Sequence, residues 1–309
     1  AGKMASRGPE AKIFVDPGLS NVLVASWLSE PELAADTLAR RRTQLERAMV
    51  LAILNRRLSD LARGGQPPFL SAGASVGESY RIQKAASVFA LSVGGDWKKA
   101  LNAILEEQRR LETFGVREDE VQRVITDTRT AMTAARTGSG TRSPAGLAGS
   151  VVGSITARSV VTSPEQDLEW FEGEARTLSA AGLNRTAATL FKGSGPIIFM
   201  TSPKAIDGGE AAVAAAAREA LKAKVVASES RALEAWPYTR FGTPSGVAER
   251  LDVADLDAVF LRLNNGVRLT VKPTKFKTDQ ILVRVNFGDG RLGLDPARPS
   301  PEWANGALI

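Results

Sequence analysis

The sequence predicts an α+β fold built from strands and helices in a fixed order. Two strand-like segments come first, then a long amphipathic helix, then two more strands and a series of helices. Runs of β-branched and aromatic residues indicate the strands, and apolar residues at helical spacing indicate the helices. With 309 residues, 43% of them apolar, the chain has enough material for about two domains.

The first predicted elements are two strands within residues 11–28, separated by a turn at Asp16-Pro17-Gly18. A helix of about 25 residues follows and ends at Gly64-Gly65. Its apolar residues recur at steps of seven and four, at Leu38, Leu45, Met49 and Ile53. Its opposite face is predicted to be charged and solvated, with Arg41, Arg42, Arg56 and Arg57.

The elements after this helix follow from turn and capping signals. Strands are predicted near Phe69–Val76, Ser87–Val93 and Pro196–Thr201. Helices are predicted over Trp97–Phe114, from Glu118, from Pro144 through the apolar stretch to Val161, over Ser163–Phe171 and over residues 209–224. Gly115 is expected to cap the first of these helices, and residues 137–141 are expected to form a flexible break.

The domain organisation follows from a change in composition near Trp236. Residues 1–235 are predicted to form a complete domain, and residues 236–256, with two Pro and two Gly near their start, a surface linker. Residues 257–309 are predicted to open a further domain, with strands at Val267–Lys272 and Gln280–Phe287. Two strands cannot bury a core alone, so this second domain is expected to be truncated.

The chain contains no Cys and no His. It therefore lacks a disulfide framework, a thiolate nucleophile, an imidazole base and the usual ligands of zinc. A Ser-His-Asp triad is therefore excluded. The remaining possibilities are carboxylate chemistry, a lysine base, a cofactor or no catalysis at all.

The net charge of +6 raises the question of nucleic-acid binding. The basic residues are spread along the chain and alternate with acids, and only two Tyr are present to stack on bases. A nucleic-acid footprint needs clustered charge, so this partner is disfavoured. No apolar run reaches the length of a membrane span, and the first residues do not resemble a signal peptide.

Two glycine motifs resemble sites but lack their context. Gly73-Ala74-Ser75-Val76-Gly77 matches a nucleophile elbow, which needs a histidine, so a small-residue strand packed under a helix is expected instead. Gly288–Gly293 matches G-x-G-x-x-G after a predicted strand. Pro296 and two further prolines follow it, so a helix is not expected there and a glycine-rich turn is.

Charged clusters are the remaining candidates for chemistry. Glu106-Glu107 are interpreted as part of a solvated helix face, and Glu118-Asp119-Glu120 as the first turn of a helix, where the dipole favours carboxylates. Arg40-Arg41-Arg42 is interpreted as the solvent face of the long helix rather than as a phosphate site.

The order of elements resembles that of the insulinase/pitrilysin/mitochondrial-processing-peptidase family of zinc metallopeptidases. Residues 261–290 (LRLNNGVRLTVKPTKFKTDQILVRVNFGDG) are similar to the opening of a domain in that family. Residues 39–77 (ARRRTQLERAMVLAILNRRLSDLARGGQPPFLSAGASVG) are similar to the helix and strand of a non-catalytic domain. The resemblance implies a mostly antiparallel sheet with helices packed on one face.

The resemblance also implies which functional residues are missing. Zinc in the family is held by an H-x-x-E-H motif in the first domain, and the chain resembles a second domain followed by the start of a third. The family's Arg and Tyr, seven residues apart, are also absent, because Arg63 is followed by Phe69 and Leu70 at positions six and seven. No catalytic, cofactor-binding or metal-binding residue is therefore predicted in this fragment, and zinc is expected only in the catalytic domain of the parent.

The implied function is a non-catalytic wall of a peptidase chamber, orienting a catalytic domain of the same or a partner chain. A peptide substrate would meet backbone edges and apolar side chains there. The alternatives are a scaffold protein of the same fold with an inactive parent and a basic nucleic-acid-binding module. The truncated end is expected either to dock on residues 11–235 or to pair with the same segment of a second molecule in a homodimer. Bacterial relatives are often exported, which favours the periplasm over the cytoplasm.

Overall fold

The protein has the predicted α+β fold, with a mostly antiparallel sheet and helices on one of its faces. The computed structural model describes residues 5–93, 95–228, 240, 242–275 and 281–288. Within these ranges the main body is a five-stranded sheet, and residues 247–271 form a separate three-stranded sheet.

Two strands flank the turn predicted near the start of the chain. β1 (Glu10–Val15) and β2 (Val22–Ser29) are separated by a turn in which the Gly18 amide donates to Asp16 Oδ1 over 2.8 Å. Such a local bond is the reason that Asp favours turns. The two strands do not pair with each other, because a distant strand, β5 (Ser194–Ser202), lies between them.

The five-stranded sheet is completed by the hairpin of β3 (Phe69–Ser79) and β4 (Gln83–Ser92), in the order β1-β5-β2-β4-β3. β1 runs parallel to β5, and the other neighbours are antiparallel. The β3–β4 hairpin turns through Tyr80 and Arg81, which both have positive φ. β1 and β3 are therefore the two edges of the sheet.

Seven α-helices lie within the described residues; six of them are close to the predicted positions, and the sequence did not predict the helix over Ala180–Ala187. They are α1 (Leu38–Ala62), α2 (Trp97–Phe114), α3 (Glu118–Thr137), α4 (Pro144–Ala157), α5 (Pro164–Ala175), α6 (Ala180–Ala187) and α7 (Gly209–Ala220). The predicted break at residues 137–141 is a 3-10 turn, Gly138–Thr141.

The predicted capping signals define several helix ends. Ser163 Oγ accepts from the Gln166 amide over 3.2 Å, and the Gln166 side chain accepts from the Ser163 amide over 2.9 Å. This reciprocal pair satisfies two donors that a helix start otherwise leaves unpaired. Gly115 ends α2 with φ of 69°, a conformation that glycine adopts without strain.

The core lies between one face of the sheet and α1, α2 and α7. α3 and α6 contact α1, and α5 contacts α3, so these helices form a further layer. Trp27 on β2 meets Phe191 edge to face, with ring centroids 5.1 Å apart. The fully buried side chains include Leu23, Leu54, Leu101, Ile104 and Ile198. Burying each of them stabilises the fold by about 1.5–3 kcal/mol relative to exposure.

The end of the described chain differs from its sequence-based prediction. Residues 247–256, placed in the linker 236–256, form β6 (Val247–Val253) and a 3-10 turn, Ala254–Leu256. β6 pairs with β7 (Ala258–Leu263), which the sequence also missed, and β7 pairs with β8 (Arg268–Val271) near the predicted strand. The domain boundaries themselves stay predictions.

The other predicted elements of this end fall partly outside the described residues. Residues 281–287 carry no regular secondary structure, so the strand predicted over Gln280–Phe287 is wrong there. Of the motif Gly288–Gly293, only Gly288 is described, and it has positive φ. The sequence also indicates the start of a helix over Glu302–Ile309, and these residues lie outside the described ranges.

Candidate functional site

The G-x-S-x-G motif lies in the middle of β3 rather than at a turn between a strand and a helix. Ser75 is opposite Ser87 on β4, and Ser87 Oγ is 2.8 Å from Ser26 Oγ on β2. Gly73 lies under the ring of Phe89, since a Cβ there would be 2.6 Å from that ring. The motif is therefore a small-residue strand under a helix, as predicted, because α1 packs against β3.

One side chain of α1 caps the edge strand β3. Asn55 Nδ2 donates to the Ala74 carbonyl over 3.0 Å, and the Ala74 amide donates to Asn55 Oδ1 over 2.6 Å. The side-chain amide therefore satisfies both backbone groups that an added strand would use at this point. At the opposite edge, Glu210 on α7 accepts from the Ile13 amide over 3.5 Å and pairs with Lys12 over 2.9 Å.

The acidic clusters form part of a buried ion-pair network between α1, α2 and α3. Arg57 Nη2 donates to Glu120 Oε2 over 2.6 Å and to the Gly115 carbonyl over 3.0 Å, and its Nη1 is 3.5 Å from Glu107 Oε1. Glu107 also pairs with Arg110. The prediction of a solvated face is wrong for Glu107 and Arg57, because both side chains are almost fully buried. Glu106 is half-exposed, as expected.

Two carboxylates of this network act on the pKa of Arg57. Burial lowers the pKa of Arg57, but hydrogen bonding and attraction to Glu120 and Glu107 outweigh it, and the net pKa is raised. A cleft of about 500 Å³ lies beside the network. The carboxylates that face it are engaged by arginines, so the arrangement favours a structural clamp over a general acid or base.

The arginines at the start of α1 are also engaged within the protein. Arg41 Nη2 donates to Asp36 Oδ2 over 2.6 Å and to the Val160 carbonyl over 2.7 Å. The hydrogen bond from Arg41 lowers the pKa of Asp36, and the bond from the Val160 amide adds to this effect. Arg40 donates to two backbone carbonyls, and Arg42 pairs with Glu46 and Glu174. These contacts join α1 to the segment after α4 and do not form a phosphate site.

No group of three acidic side chains that could hold a metal occurs among the residues that the structure describes. The absence of catalytic, cofactor and metal residues stays a prediction. Within the same residues, every helix is too short or too polar to cross a bilayer.

The sheet face that points away from the helices is apolar and uncovered by the described residues. We call this surface the open face and define it by residues on four strands: Phe14, Val22, Val24, Phe89, Leu91, Ile197 and Phe199. Phe199, Val24 and Phe89 lie side by side across three adjacent strands. Phe14 is 55% exposed and Phe199 48%. Contiguous apolar surface of this kind marks an interaction site in a soluble protein.

α4 is the second uncovered apolar surface. None of its 14 residues is buried. Val152 is 62% exposed and Ile155 67%. The sequence predicts this helix from its apolar stretch but not its exposure. The signal that marks it is the lack of any charged residue from Pro144 to Ala157, which is unusual for a solvated helix.

Comparison with solved structures finds proteases. The periplasmic protease PqqL from Escherichia coli has a TM-score of 0.67 and 15% identity, covering 89% of this chain and 31% of PqqL. The first half of PqqL has a TM-score of 0.65 and 16% identity, covering 74% and 50% of the two chains. A predicted insulinase family protease from Yersinia pestis has a TM-score of 0.59 and 13% identity, covering 69% and 46%.

The fold is that of insulinase-family proteases. The resemblance drawn from residues 39–77 and 261–290 is therefore confirmed at the level of the fold. No protein-family sequence profile and no curated protein sequence matches the chain. The chain spans about a third of PqqL, so the insulinase fold described here corresponds to one part of that longer protein.

Arg63 is the residue nearest to the family's Arg and Tyr pattern, and it lies between α1 and β3. Arg63 follows the end of α1, is exposed, and bonds to Ser59 and Asp60 of its own helix. Phe69 is fully buried and Leu70 is exposed. Arg63 therefore faces solvent beside its own helix, and Leu70, seven residues further on, is apolar.

Proposed function

We propose that this chain is a non-catalytic part of an insulinase-fold zinc metallopeptidase, where it helps to form the substrate chamber. The proposal rests on the fold. The structural match to a periplasmic protease covers 89% of this chain and 31% of that protein. In this proposal, a catalytic domain of the same or a partner chain holds the zinc and hydrolyses the peptide bond.

The types of residue in the chain favour a structural role over a catalytic one. Zinc hydrolases use His, Cys and carboxylate ligands with an open coordination position, and the chain has no His and no Cys. The carboxylates that the helices bring together, Glu107 and Glu120, are neutralised by Arg57 and Arg110. The network fixes α1, α2 and α3 to one another, which suits a rigid wall.

The capped edges alter how a peptide would meet this wall. Asn55 occupies the backbone groups of Ala74 on β3, and Glu210 accepts from Ile13 on β1. Strand addition is therefore hindered at both of these points, although the sequence suggests contacts with backbone edges as well as with apolar side chains. We infer that apolar side chains, rather than strand edges, make the contacts of this part of the chamber.

The same proposal includes the domain organisation of the parent protein. Residues 1–235 form the supporting domain, and the small sheet of β6, β7 and β8 belongs to the start of a further domain of similar fold. The periplasm is the proposed compartment, on the likeness to PqqL, which is itself described as periplasmic.

A metal and activity assay tests the proposal. The chain is dialysed and analysed for zinc, and a mixture of unstructured peptides is incubated with it. We expect far less than one zinc per chain and no hydrolysis, because carboxylates alone are poor zinc ligands. One tightly held zinc per chain, together with hydrolysis that a chelator abolishes, would contradict it.

The gene of the parent protein discriminates the proposal from a scaffold with an inactive parent. An H-x-x-E-H motif encoded in the same gene or in an adjacent partner gene supports the peptidase. If both genes lack the motif, a scaffold protein of the same fold is favoured. The lack of His in this chain is as consistent with a scaffold as with a non-catalytic peptidase domain.

A further inference from the structure

Three residues near one cleft have a backbone conformation that suits glycine or asparagine better than it suits them. Tyr80 and Arg81 have φ of 50° and 58°, and Arg158 has φ of 53°. A residue with a Cβ is strained in this left-handed region. Only one other non-glycine residue of the described ranges, Asp257, has positive φ. Residues held in this conformation cluster at sites that clamp a ligand, so these three side chains point to a function.

Tyr80 and Arg81 form the turn of the β3–β4 hairpin. The Ile82 amide donates to the Ser79 carbonyl over 2.9 Å, so Tyr80 and Arg81 are the two central residues of this turn. Hairpin turns with positive φ at both central positions strongly favour Asn-Gly. Tyr80 is 94% exposed and Arg81 is exposed as well. Packing in the core therefore does not account for either side chain.

Arg158 ends α4 in the left-handed conformation. Its amide donates to the Ile155 carbonyl over 3.1 Å, and the Ser159 amide donates to the Ser154 carbonyl over 2.9 Å. This pair of bonds is the one with which a helix commonly ends at a glycine. The carbonyl end of a helix attracts cations, which explains part of the preference for arginine at this position. It does not explain the arginine in the hairpin turn.

Arg81 and Arg158 line the same cleft, which has a volume of about 760 Å³. Its other walls are the extended residues 32–36 and the start of α1. Sites for small ligands have volumes of about 300–1,000 Å³, so the cleft is of a suitable size. Leu33 and Val160, which are 56% and 62% exposed, add apolar surface to it.

Two of the three carboxylates that line the cleft are neutralised by neighbouring cations. Glu32 Oε1 is 2.5 Å from Arg47 Nη1 and 2.7 Å from Lys84 Nζ. Asp36 Oδ2 is 2.6 Å from Arg41 Nη2. These two carboxylates therefore contribute little negative charge to the cleft.

The arginines that line the cleft keep their charge available for a ligand. Arg81 and Arg158 form no ion pair with any residue that the structure describes. Arg40 donates to two backbone carbonyls, over 2.7 and 3.2 Å, and within the same ranges it too has no carboxylate partner. Three guanidinium groups thus face one remaining carboxylate, that of Glu78, and the cleft is positive.

We propose that this cleft binds the carboxylate of a peptide, with Arg81 and Arg158 as the donors. A guanidinium group gives a carboxylate two parallel hydrogen bonds. Glu78 repels a doubly charged phosphate more strongly than a singly charged carboxylate. The carboxylate is either the C-terminus of the peptide or an acidic side chain. A peptide as its source rests on the proposed function, and none of the residues that define the open face lines the cleft.

Fluorescence anisotropy of dye-labelled peptides measures binding to the full chain. The peptides consist of about six Ala, Ser and Leu residues, to match the size of the cleft. One has a free C-terminal carboxylate, one is amidated at the C-terminus, and one is amidated and carries Glu. We expect a carboxylate-bearing peptide to bind with a dissociation constant of about 0.01–1 mM and the amidated peptide without Glu to bind at least about 10-fold more weakly. The carboxylate-bearing form that binds more tightly identifies the source of the carboxylate.

Substitutions by the residues that this backbone prefers separate binding from stability. Arg81→Gly and Arg158→Gly should each raise the dissociation constant at least about 10-fold, because each removes a charged donor. Their Tm should stay unchanged or rise by up to about 3 °C, because relief of the positive φ offsets the added freedom of glycine in the unfolded chain.

Two control variants isolate the role of the arginines in the cleft. Tyr80→Asn relieves the same turn but removes no residue that lines the cleft, so the dissociation constant should stay within about threefold. Arg136→Ala removes the same charge from an exposed position on α3, and it should also leave the constant within about threefold.

Four results would overturn the proposal. They are no binding of any of the peptides at about 1 mM, equal binding of the amidated peptide without Glu, dissociation constants that Arg81→Gly and Arg158→Gly both leave unchanged, and displacement of the peptide by less inorganic phosphate than acetate, which would assign the cleft to phosphate. A Tm that falls by more than about 3 °C in both variants would instead assign the arginines to stability and equally contradict it. Zinc content and hydrolysis do not enter these readouts, so failure here is distinguishable from failure of the proposed function.

Discussion

The two faces of the five-stranded sheet have similar residues and opposite surroundings. On β2, Leu23, Ala25 and Trp27 point into the core, and Val22 and Val24, on the other side of the same strand, remain partly exposed. Alternation in a half-buried antiparallel strand normally places polar residues outside. The open face therefore has the residue types of a surface that packs against another one. Hydrophobicity alone does not identify the core.

Truncation of a phenylalanine on each side gives the largest expected contrast. Phe69→Ala removes a fully buried ring and should lower the free energy of unfolding by about 4 kcal/mol. Phe199→Ala removes a ring that is 48% exposed and should lower it by less than about 1 kcal/mol in the monomer. Urea denaturation at low protein concentration measures both. Equal losses would show that the open face is covered within a single molecule.

The contacts of Asp36, which join α1 to the segment after α4, are expected to contribute less to the free energy of unfolding. This contribution depends on pH. Asp36→Asn should cost about 2 kcal/mol at pH 7, because the carboxylate accepts from Arg41 and from the Val160 amide. The native pKa of Asp36 is lowered from its usual 3.8, chiefly by the Arg41 hydrogen bond. The stabilisation is therefore fully present above about pH 5 and is lost as the pH falls through the native pKa.

Denaturation at pH 7, 5 and 3 measures this dependence, and the difference between Asp36→Asn and the unmodified chain should shrink at the lowest pH. Asp60→Asn is the matched control, since its pair with Arg63 is exposed and contributes less than about 0.5 kcal/mol. A difference that grows on acidification would contradict the assignment.

The smallest expected effect has the opposite sign. Gly153→Ala in α4 places a methyl group where no atom lies within 4 Å, so it should stabilise the protein by about 0.5–1 kcal/mol. Gly193→Ala should destabilise it, because a Cβ there would lie 2.4 Å from the Leu28 carbonyl oxygen. Thermal unfolding measures both. A loss on Gly153→Ala would place another surface against the Gly and Ser side of α4.

Local signals in the sequence predict most of the elements of the fold. Asp16-Pro17-Gly18 predicts the first turn, Ser163 with Gln166 predicts the start of α5, and the spacing of Leu45, Met49 and Ile53 predicts α1. The insertion of β5 between β1 and β2 is not local, because its partners are more than 160 residues away in the chain. β6 was missed because Glu249, Arg250 and Asp252 give it the composition of a loop.

The candidate surfaces were less predictable than the elements. The lack of His and Cys already predicts that no zinc site of the family type is present. Burial, however, depends on what lies across a face, so Phe199 and Ile198 cannot be distinguished by residue type. Likewise, Arg57 lies on a helix side that the sequence predicts to be solvated. It becomes a buried partner of Glu107 and Glu120 only because α2 and α3 pack against α1.

The amide of Asn55 limits how far assembly of this protein can proceed. An unprotected sheet edge is a template for strands of other chains, and repeated strand addition gives a fibril. Asn55 ends the hydrogen-bond ladder at Ala74, so a molecule with a large uncovered apolar face is still blocked there from growing strand by strand. Asn55 thus hinders growth of the sheet along the edge that β3 forms.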